Sequence, residues 1–223
     1  MGGIFIKIKE RKLSKKIWNK LKEAIDESRE KIEQKNIIYV TEACFECPLR
    51  SYYRRKFGEE FDDKAYWNIS RGKIFDEYLT EFFDDKQVPV QCRIKDTAIV
   101  VRGKIDGVFY DPPEVWEIKT VASVRRLKEP YPIHKKQALF YQYNWNPMAK
   151  TYIWYISMDG YKVFEIWGEN SVVEEMIENS KSLYEGLVNN VEPKPKKSNE
   201  CYFCKHKETR CCLFNENNGR GKK

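Results

Sequence analysis

Long apolar segments are missing from this chain of 223 residues, of which 41% are hydrophobic and 34% are charged. No run approaches the roughly 18 apolar residues that span a bilayer, so the sequence does not predict a membrane protein. The N-terminus, MGGIFIKIKERKLSKK, lacks the continuous apolar core and the small-residue cleavage site of a secretory signal. We therefore expect an intracellular, cytoplasmic protein.

Seven cysteines stand at positions 44, 47, 92, 201, 204, 211 and 212. Without an export signal they are not expected to form a disulfide framework, because cytosolic thiols are kept reduced. The two C-x-x-C pairs, Cys44/Cys47 and Cys201/Cys204, have the ligand spacing of a Cys₄ zinc site. Cys92 lies in a strand pattern and is predicted to be a buried small hydrophobe.

Basic residues exceed acidic ones, and the net charge of +7 favours a polyanionic partner. Solubility alone is the alternative explanation. Arg50, Tyr53 and Arg54 combine cations with an aromatic ring, a composition suited to tracking phosphates and stacking on bases. A solvated basic helix is the alternative for this segment.

The order of helical and strand patterns predicts an α/β or α+β fold with one mixed sheet flanked by helices. Residues 1–40 form a predicted helical extension, 41–190 a core, and 191–223 a linker and a cysteine-rich segment. Predicted helices cover residues 13–34, 48–58, 66–83, 135–143 and 171–188. Predicted strands cover residues 88–94, 98–110, 115–121, 150–156 and 162–167.

Three charged residues interrupt the apolar pattern of GKIDGVFYDPPEVWEIKT, which reads as a hairpin. A four-residue turn at 111–114 would pair Tyr110 with Val115, set Asp106 opposite Lys119 and keep Glu117 on the same face. Two carboxylates there suit a hard cation such as Mg²⁺ or Mn²⁺, with Lys119 orienting water or neutralising charge. The alternative is a surface ion pair worth at most ~1 kcal/mol.

Three motifs in this order resemble those of RecB-like nucleases of the PD-(D/E)XK superfamily: G-x-x-D ending at Asp106, E-x-K from Glu117 to Lys119, and Q-x-x-x-Y from Gln137 to Tyr141. Cys-Pro-Leu-Arg at 47–50 and the C-terminal cysteines narrow the resemblance to iron-sulfur CRISPR-associated exonucleases. The resemblance spans roughly residues 40–212 and implies a restriction-endonuclease-like fold.

The resemblance implies that Asp106, Glu117 and the Ile118 carbonyl bind Mn²⁺ or Mg²⁺, that Lys119 is catalytic, and that Gln137 and Tyr141 face the metal or the nucleic acid. The family usually has a histidine in its first motif helix, where this chain has Asp76. The only histidines, His134 and His206, lie elsewhere. Asp76 suits a hard cation, but the replacement equally fits weakened activity.

For the cysteines, the resemblance implies a [4Fe-4S] cluster bound by Cys47, Cys201, Cys204 and one of Cys211 or Cys212, of which Cys211 has the closer spacing. Such a cluster would join the N- and C-terminal parts of the chain. The implied activity is exonuclease action on single-stranded DNA ends, with CRISPR adaptation or recombination proteins as partners. The alternatives are a non-catalytic nucleic-acid-binding protein and a zinc-stabilised binding module.

Overall fold

A computed structural model of the protein describes residues 15–27, 34–58, 61–168, 171–198, 201, 204 and 206. The helices are α1 (Lys15–Glu27), α2 (Val40–Ala43), α3 (Pro48–Phe57), α4 (Asp63–Leu79), α5 (Pro132–Trp145) and α6 (Ser171–Asn189). The strands are β1 (Ile37–Tyr39), β2 (Asp85–Arg93), β3 (Val100–Tyr110), β4 (Pro113–Thr120), β5 (Lys150–Ser157) and β6 (Gly160–Ile166). Among the described residues, no helix combines the length and the apolar character needed to cross a membrane.

The six strands form one mixed sheet, with the order β1-β3-β4-β5-β6 and with β2 also paired to β3. Two pairs are parallel, β1 with β3 and β4 with β5, and the remaining three pairs are antiparallel. Helices flank the sheet, so the predicted mixed α/β architecture is confirmed.

The predicted register of the β3–β4 hairpin is wrong. Tyr110 pairs with Pro113 and Gly107 with Trp116, so the loop is two residues long rather than four. Proline lacks an N–H donor but is tolerated as the first residue of a strand, which lets β4 begin at Pro113. Continuing this register brings Asp106 level with Glu117 instead of Lys119.

Strands β1 and β4 pair with the same edge of β3 and leave an opening between them. Strand β2 pairs along β3 from Val100 to Val108, so β1 and β4 must both lie on the other side. Strand β1 pairs only as far as Arg102, and β4 pairs only from Gly107. Within the part of the chain that the structure describes, no strand pairs with residues 103–106 on this side, and we call this opening the sheet gap.

The strands are also irregular at the level of the sheet gap. Gln87 of β2 lies between the paired residues Lys86 and Val88 and has a positive φ of 52°, an uncommon conformation for a residue other than glycine. A Cβ at Gly103 would lie 2.6 Å from the Tyr141 ring, whereas a Cβ at Gly107 would lie 2.1 Å from the Phe83 ring. Both glycines are therefore required for close packing against aromatic rings.

The helices position the ends of the chain around this sheet. Helix α1 contacts α4 through the Trp18 indole N–H, which donates to Asp63 Oδ1 at 3.0 Å. Asp62 caps α4 by accepting from the Ala65 N–H at 2.7 Å, as expected for an N-cap carboxylate. After α6, the 191–198 segment turns back, and the Val191 N–H donates to the Gly186 carbonyl at 3.0 Å.

Candidate active site

Asp106, Glu117 and Lys119 converge where β3 and β4 separate. Asp106 Oδ2 accepts from the Ile118 N–H at 2.7 Å, so the aspartate side chain takes the place of a strand-to-strand backbone bond. Lys119 forms an ion pair with Glu117. Because the N–H and C=O of one strand residue point to the same side, the Ile118 carbonyl also faces the sheet gap.

Glu117 has few polar contacts for a fully buried carboxylate. Its exposed fraction is 0%, and within the described part of the chain no aligned hydrogen bond reaches either carboxylate oxygen. Lys119 is its ion-pair partner, and the side chain of that lysine is 24% exposed. A buried carboxylate with open lone pairs is costly unless a cation or a donor binds it.

The pKa values of this group reflect burial and close charges. Burial, together with the repulsion of Asp106, raises the pKa of Glu117 to about 8. Burial likewise raises the pKa of Asp106 to about 6, although Lys119 and the Ile118 N–H oppose the change. Burial disfavours the charged form of Lys119, but the attraction of Glu117 and Asp106 outweighs it and raises the lysine pKa.

Asp76 of α4 approaches the same group through Gln87. The Gln87 Nε2 donates to Asp76 Oδ2 at 3.4 Å, and the Gln87 side chain is close enough to Asp106 to lower its pKa. Burial raises the pKa of Asp76, and the Lys119 charge opposes that change. Gln87 thus links two of the proposed carboxylate ligands, and no motif in the sequence had indicated it.

Gln137 and Tyr141 lie one turn apart on α5, as their i, i+4 spacing predicts. Both are buried, and Gln137 Nε2 donates to Tyr141 Oη at 3.1 Å. Burial, followed by the charge of Glu117, raises the pKa of Tyr141, so its phenol keeps its proton at neutral pH. These two side chains form a polar wall beside the carboxylates.

His134 lies near this site on α5, whereas the histidine that the resemblance implies would lie on α4, where this chain has Asp76. Its Nδ1 lies 2.8 Å from Tyr155 Oη, which also accepts from the Tyr131 N–H at 3.0 Å. Burial, with the Lys119 charge, lowers the pKa of His134 to about 3. The imidazole is therefore neutral over the physiological pH range.

The proposed nucleic-acid residues of α3 differ in accessibility. Tyr53 is only 2% exposed, and its hydroxyl donates to Glu192 Oε2 at 3.0 Å, so it packs in the core and presents no face to a base. The Arg50 guanidinium lies 4.0 Å above the Phe45 ring. Arg54 is partly exposed on the same helix. Periodicity did not reveal the burial of Tyr53, because the 191–198 segment covers it from far along the chain.

Cys47 of the first C-x-x-C pair and Cys201 of the second both contact the 191–198 segment. Cys47 Sγ accepts from the Lys196 N–H at 3.4 Å, and Cys201 Sγ lies 4.0 Å from the Lys196 carbonyl. Cys201 Sγ also accepts from the Ser198 N–H at 3.4 Å. Cys44 is buried and close enough to Lys119 to affect its pKa. Cys211 lies outside the described residues.

Cys92 is partly buried and packs against the main core. Among the residues that the structure describes, no three His, Cys, Asp or Glu side chains are gathered closely enough to form a metal site by themselves. Any ion at the sheet gap would therefore take a backbone oxygen or water in addition to the carboxylates.

Comparisons with known proteins show the fold. No family model matches the chain, and no curated protein matches it. A solved structure of a protein named SSO0001 is 22% identical, with a TM-score of 0.63 over 91% of this chain and 98% of that chain. A protein from Eubacterium rectale, named "Putative exonuclease", is 13% identical, with a TM-score of 0.49 over 91% of this chain and 95% of that chain. The similarity to SSO0001 shows a shared fold along nearly the whole of both chains.

Proposed function

We propose that this protein is a metal-dependent nuclease that hydrolyses phosphodiester bonds at single-stranded DNA ends. The observation that carries the proposal is the convergence of Asp106, Glu117 and Lys119 at the sheet gap, where the Lys119 ion pair is the polar contact shown for the buried Glu117 carboxylate among the described residues. Carboxylates with shifted pKa values that are grouped with a lysine are typical of a catalytic site.

The residues present fit a hard divalent cation. Asp106, Glu117 and the Ile118 carbonyl would bind Mn²⁺ or Mg²⁺, and Asp76, which accepts from Gln87, would be a further carboxylate ligand. These ions prefer oxygen ligands, and the buried Glu117 carboxylate, which has no aligned hydrogen bond among the described residues, would gain from binding a cation. When bound, the ion supplies Lewis acidity toward a phosphoryl oxygen and toward water.

Residues of the chain supply the remaining chemistry. The raised pKa of Lys119 keeps its ammonium charged, so in this proposal it neutralises charge on the phosphate and does not act as a base. Gln137 holds the Tyr141 hydroxyl in place, and Tyr141 directs a neutral donor toward the backbone of the strand. Arg50 and Arg54 provide cations along the approach.

We also propose that Cys47, Cys201, Cys204 and Cys211 hold a [4Fe-4S] cluster. Backbone N–H groups of Lys196 and Ser198 donate to the sulfurs of Cys47 and Cys201, and hydrogen bonds of this kind stabilise cluster thiolates. The contact of Cys47 with the segment that leads to Cys201 supports Cys47 as the N-terminal ligand, and a zinc site built from both C-x-x-C pairs is the alternative. The sequence resemblance adds the expectation that DNA ends from CRISPR adaptation or recombination are the substrates.

Degradation of fluorescently labelled single-stranded DNA with Mn²⁺ or Mg²⁺ tests the nuclease proposal. We expect wild type to be active and Asp106→Asn and Lys119→Ala to lose at least about a hundredfold in rate, because each removes a group that contacts the metal or the phosphate. Asp96→Asn makes the matched substitution in an exposed turn and should keep full activity.

The alternative of a non-catalytic binding protein predicts a different outcome. If wild type and Lys119→Ala degrade DNA at the same trace rate while both bind it, the nuclease proposal is wrong. For the cluster, we expect absorbance near ~400 nm and bound iron in wild type, loss of both in Cys47→Ser, and no loss in Cys92→Ser. A colourless protein with stoichiometric zinc would establish the zinc alternative.

A further inference from the structure

A cavity of about 350 Å³ opens at the sheet gap, beside the carboxylates but outside the proposed metal site. It lies where β1 ends and α2 begins, against the unpaired edge of β3. It is lined by Tyr39, Thr41, Pro89, Arg102, Lys104 and Tyr141.

Tyr141 connects this cavity to the proposed active site. Its hydroxyl accepts from Gln137, and its ring lies so close to Gly103 that a Cβ there would be 2.6 Å from a ring carbon. The charges of Glu117 and Asp106 also reach the same phenol. One side chain therefore forms part of the cavity wall and part of the polar wall next to the carboxylates.

The chemistry of the cavity suits an anionic ligand with a flat apolar part. Arg102 and Lys104 are exposed, and neither has an ion-pair partner in the described segments. Tyr39, Pro89 and the Tyr141 ring contribute apolar and aromatic surface. A phosphate fits the two cations, and a base or sugar fits the rings.

The volume limits the size of the ligand. A cavity of about 350 Å³ is near the lower end of the roughly 300–1,000 Å³ found for small-molecule sites. This is space for one nucleotide unit and not for a longer stretch of strand.

We propose that this cavity binds one nucleotide of the DNA strand next to the scissile phosphodiester, with a phosphate held by Arg102 and Lys104. This inference rests on the proposed nuclease function and adds a subsite to it. The sheet gap then serves two purposes, because its β4 side carries the carboxylates and its β1 side carries the nucleotide.

The test measures binding of deoxythymidine monophosphate to the full-length protein by ligand-observed NMR in EDTA, where no cleavage occurs. We expect saturable binding to wild type and about tenfold or weaker binding to Arg102→Gln/Lys104→Gln, because two charge-assisted contacts are lost. Thymidine, which lacks the phosphate, should bind wild type as weakly as the monophosphate binds the double variant. Lys150→Gln/Lys181→Gln removes the same charge from β5 and α6 and should bind like wild type.

A second variant tests the cavity without changing its charge. Thr41 is exposed at the cavity wall, so Thr41→Trp should fill the space and weaken nucleotide binding while leaving the circular dichroism spectrum and thermal midpoint unchanged. If the double variant does not fold, Thr41→Trp and the single charge variants decide the question.

The outcomes separate this inference from the nuclease proposal. DNA degradation by wild type without saturable nucleotide binding would overturn the subsite and leave the nuclease standing. Equal binding by wild type and Arg102→Gln/Lys104→Gln would also overturn it. Charge-dependent nucleotide binding without any metal-dependent degradation would support the subsite and refute the nuclease.

Discussion

Glu117→Gln should stabilise the protein at alkaline pH, in contrast to most substitutions of buried residues. The pKa of Glu117 rises from its ordinary value of 4.5 to about 8 on folding. Below pH 4.5 the carboxyl is protonated in both the folded and the unfolded state, so its ionisation does not lower the free energy of unfolding. Between about pH 4.5 and 8 the unfolded chain releases the proton more readily, so the stability of wild type falls as pH rises through this range.

The magnitude follows from the shift and from the neighbours of Glu117. At ~1.4 kcal/mol per pKa unit, the full shift corresponds to about 5 kcal/mol as an upper limit. Glutamine also removes the ion-pair partner of Lys119, and the loss of this ion pair offsets part of the stabilisation expected from removing the buried carboxylate. We therefore expect Glu117→Gln to gain on the order of 2 kcal/mol relative to wild type between pH 5 and pH 8.5.

Urea unfolding in EDTA at the two pH values measures this difference, and Glu42→Gln is the matched control. Glu42 is also a buried glutamate, but it accepts from Arg55 at 2.5 and 2.8 Å and from the Tyr39 N–H at 2.9 Å. Its substitution removes the carboxylate charge that faces the buried Arg55 guanidinium, which keeps only carbonyl acceptors such as that of Ile37, and should cost about 3 kcal/mol. If Glu117→Gln destabilises the protein as Glu42→Gln does at both pH values, the reasoning about the unsatisfied carboxylate is refuted.

Three further predictions follow from the same geometry. Mn²⁺ affinity, measured by calorimetry, should rise with pH between about 6 and 8, since Asp106 and Glu117 must lose their protons to bind it; a flat profile would contradict this. Gly107→Val should lower the free energy of unfolding by about 1–3 kcal/mol or prevent folding, because the new Cβ would meet the Phe83 ring. Asp159 accepts from three donors, the Ser123 hydroxyl, the Val124 N–H and the Ser157 hydroxyl, and these bonds depress its pKa. The contribution of Asp159 to stability is therefore present above the ordinary pKa of 3.8 and is lost as pH falls through the lower folded value. Asp159→Asn should accordingly destabilise the protein at pH 7 and much less at low pH in thermal melts.

Much of the fold was predictable because hydrophobic periodicity and turn residues are local signals. The mixed sheet and its flanking helices followed from them, as did the start of α3 at Pro48. The hairpin register was not predictable, because Asp-Pro-Pro-Glu permits either a four-residue or a two-residue loop. The choice depends on where Pro113 lies relative to the neighbouring strands, which local pattern does not contain.

The grouping of Asp106, Glu117 and Lys119 was predictable despite the wrong register, because side chains two residues apart on a strand share a face in either register. The sheet gap was not, since it requires β1 and β4 to meet the same side of β3 from distant parts of the chain. Gln87, with its positive φ, and the cavity at Arg102 and Lys104 depend on that gap. Only the alternation of Arg102, Lys104 and Asp106 in the sequence was available as a signal.

Two buried glutamates differ in how fully the fold satisfies their carboxylates. The chain satisfies Glu42 with a bidentate arginine and a backbone donor, so nothing in the fold prevents full pairing of a buried carboxylate. At the gap it leaves Glu117 without an aligned donor in the described residues, places Gln87 at a positive φ and leaves four residues of β3 unpaired on one side. Each of these features costs stability, and their concentration at one location is expected where a ligand supplies the missing interactions. In our two proposals, a cation on the carboxylates and a phosphate on Arg102 and Lys104 would supply the missing interactions on the two sides of the gap.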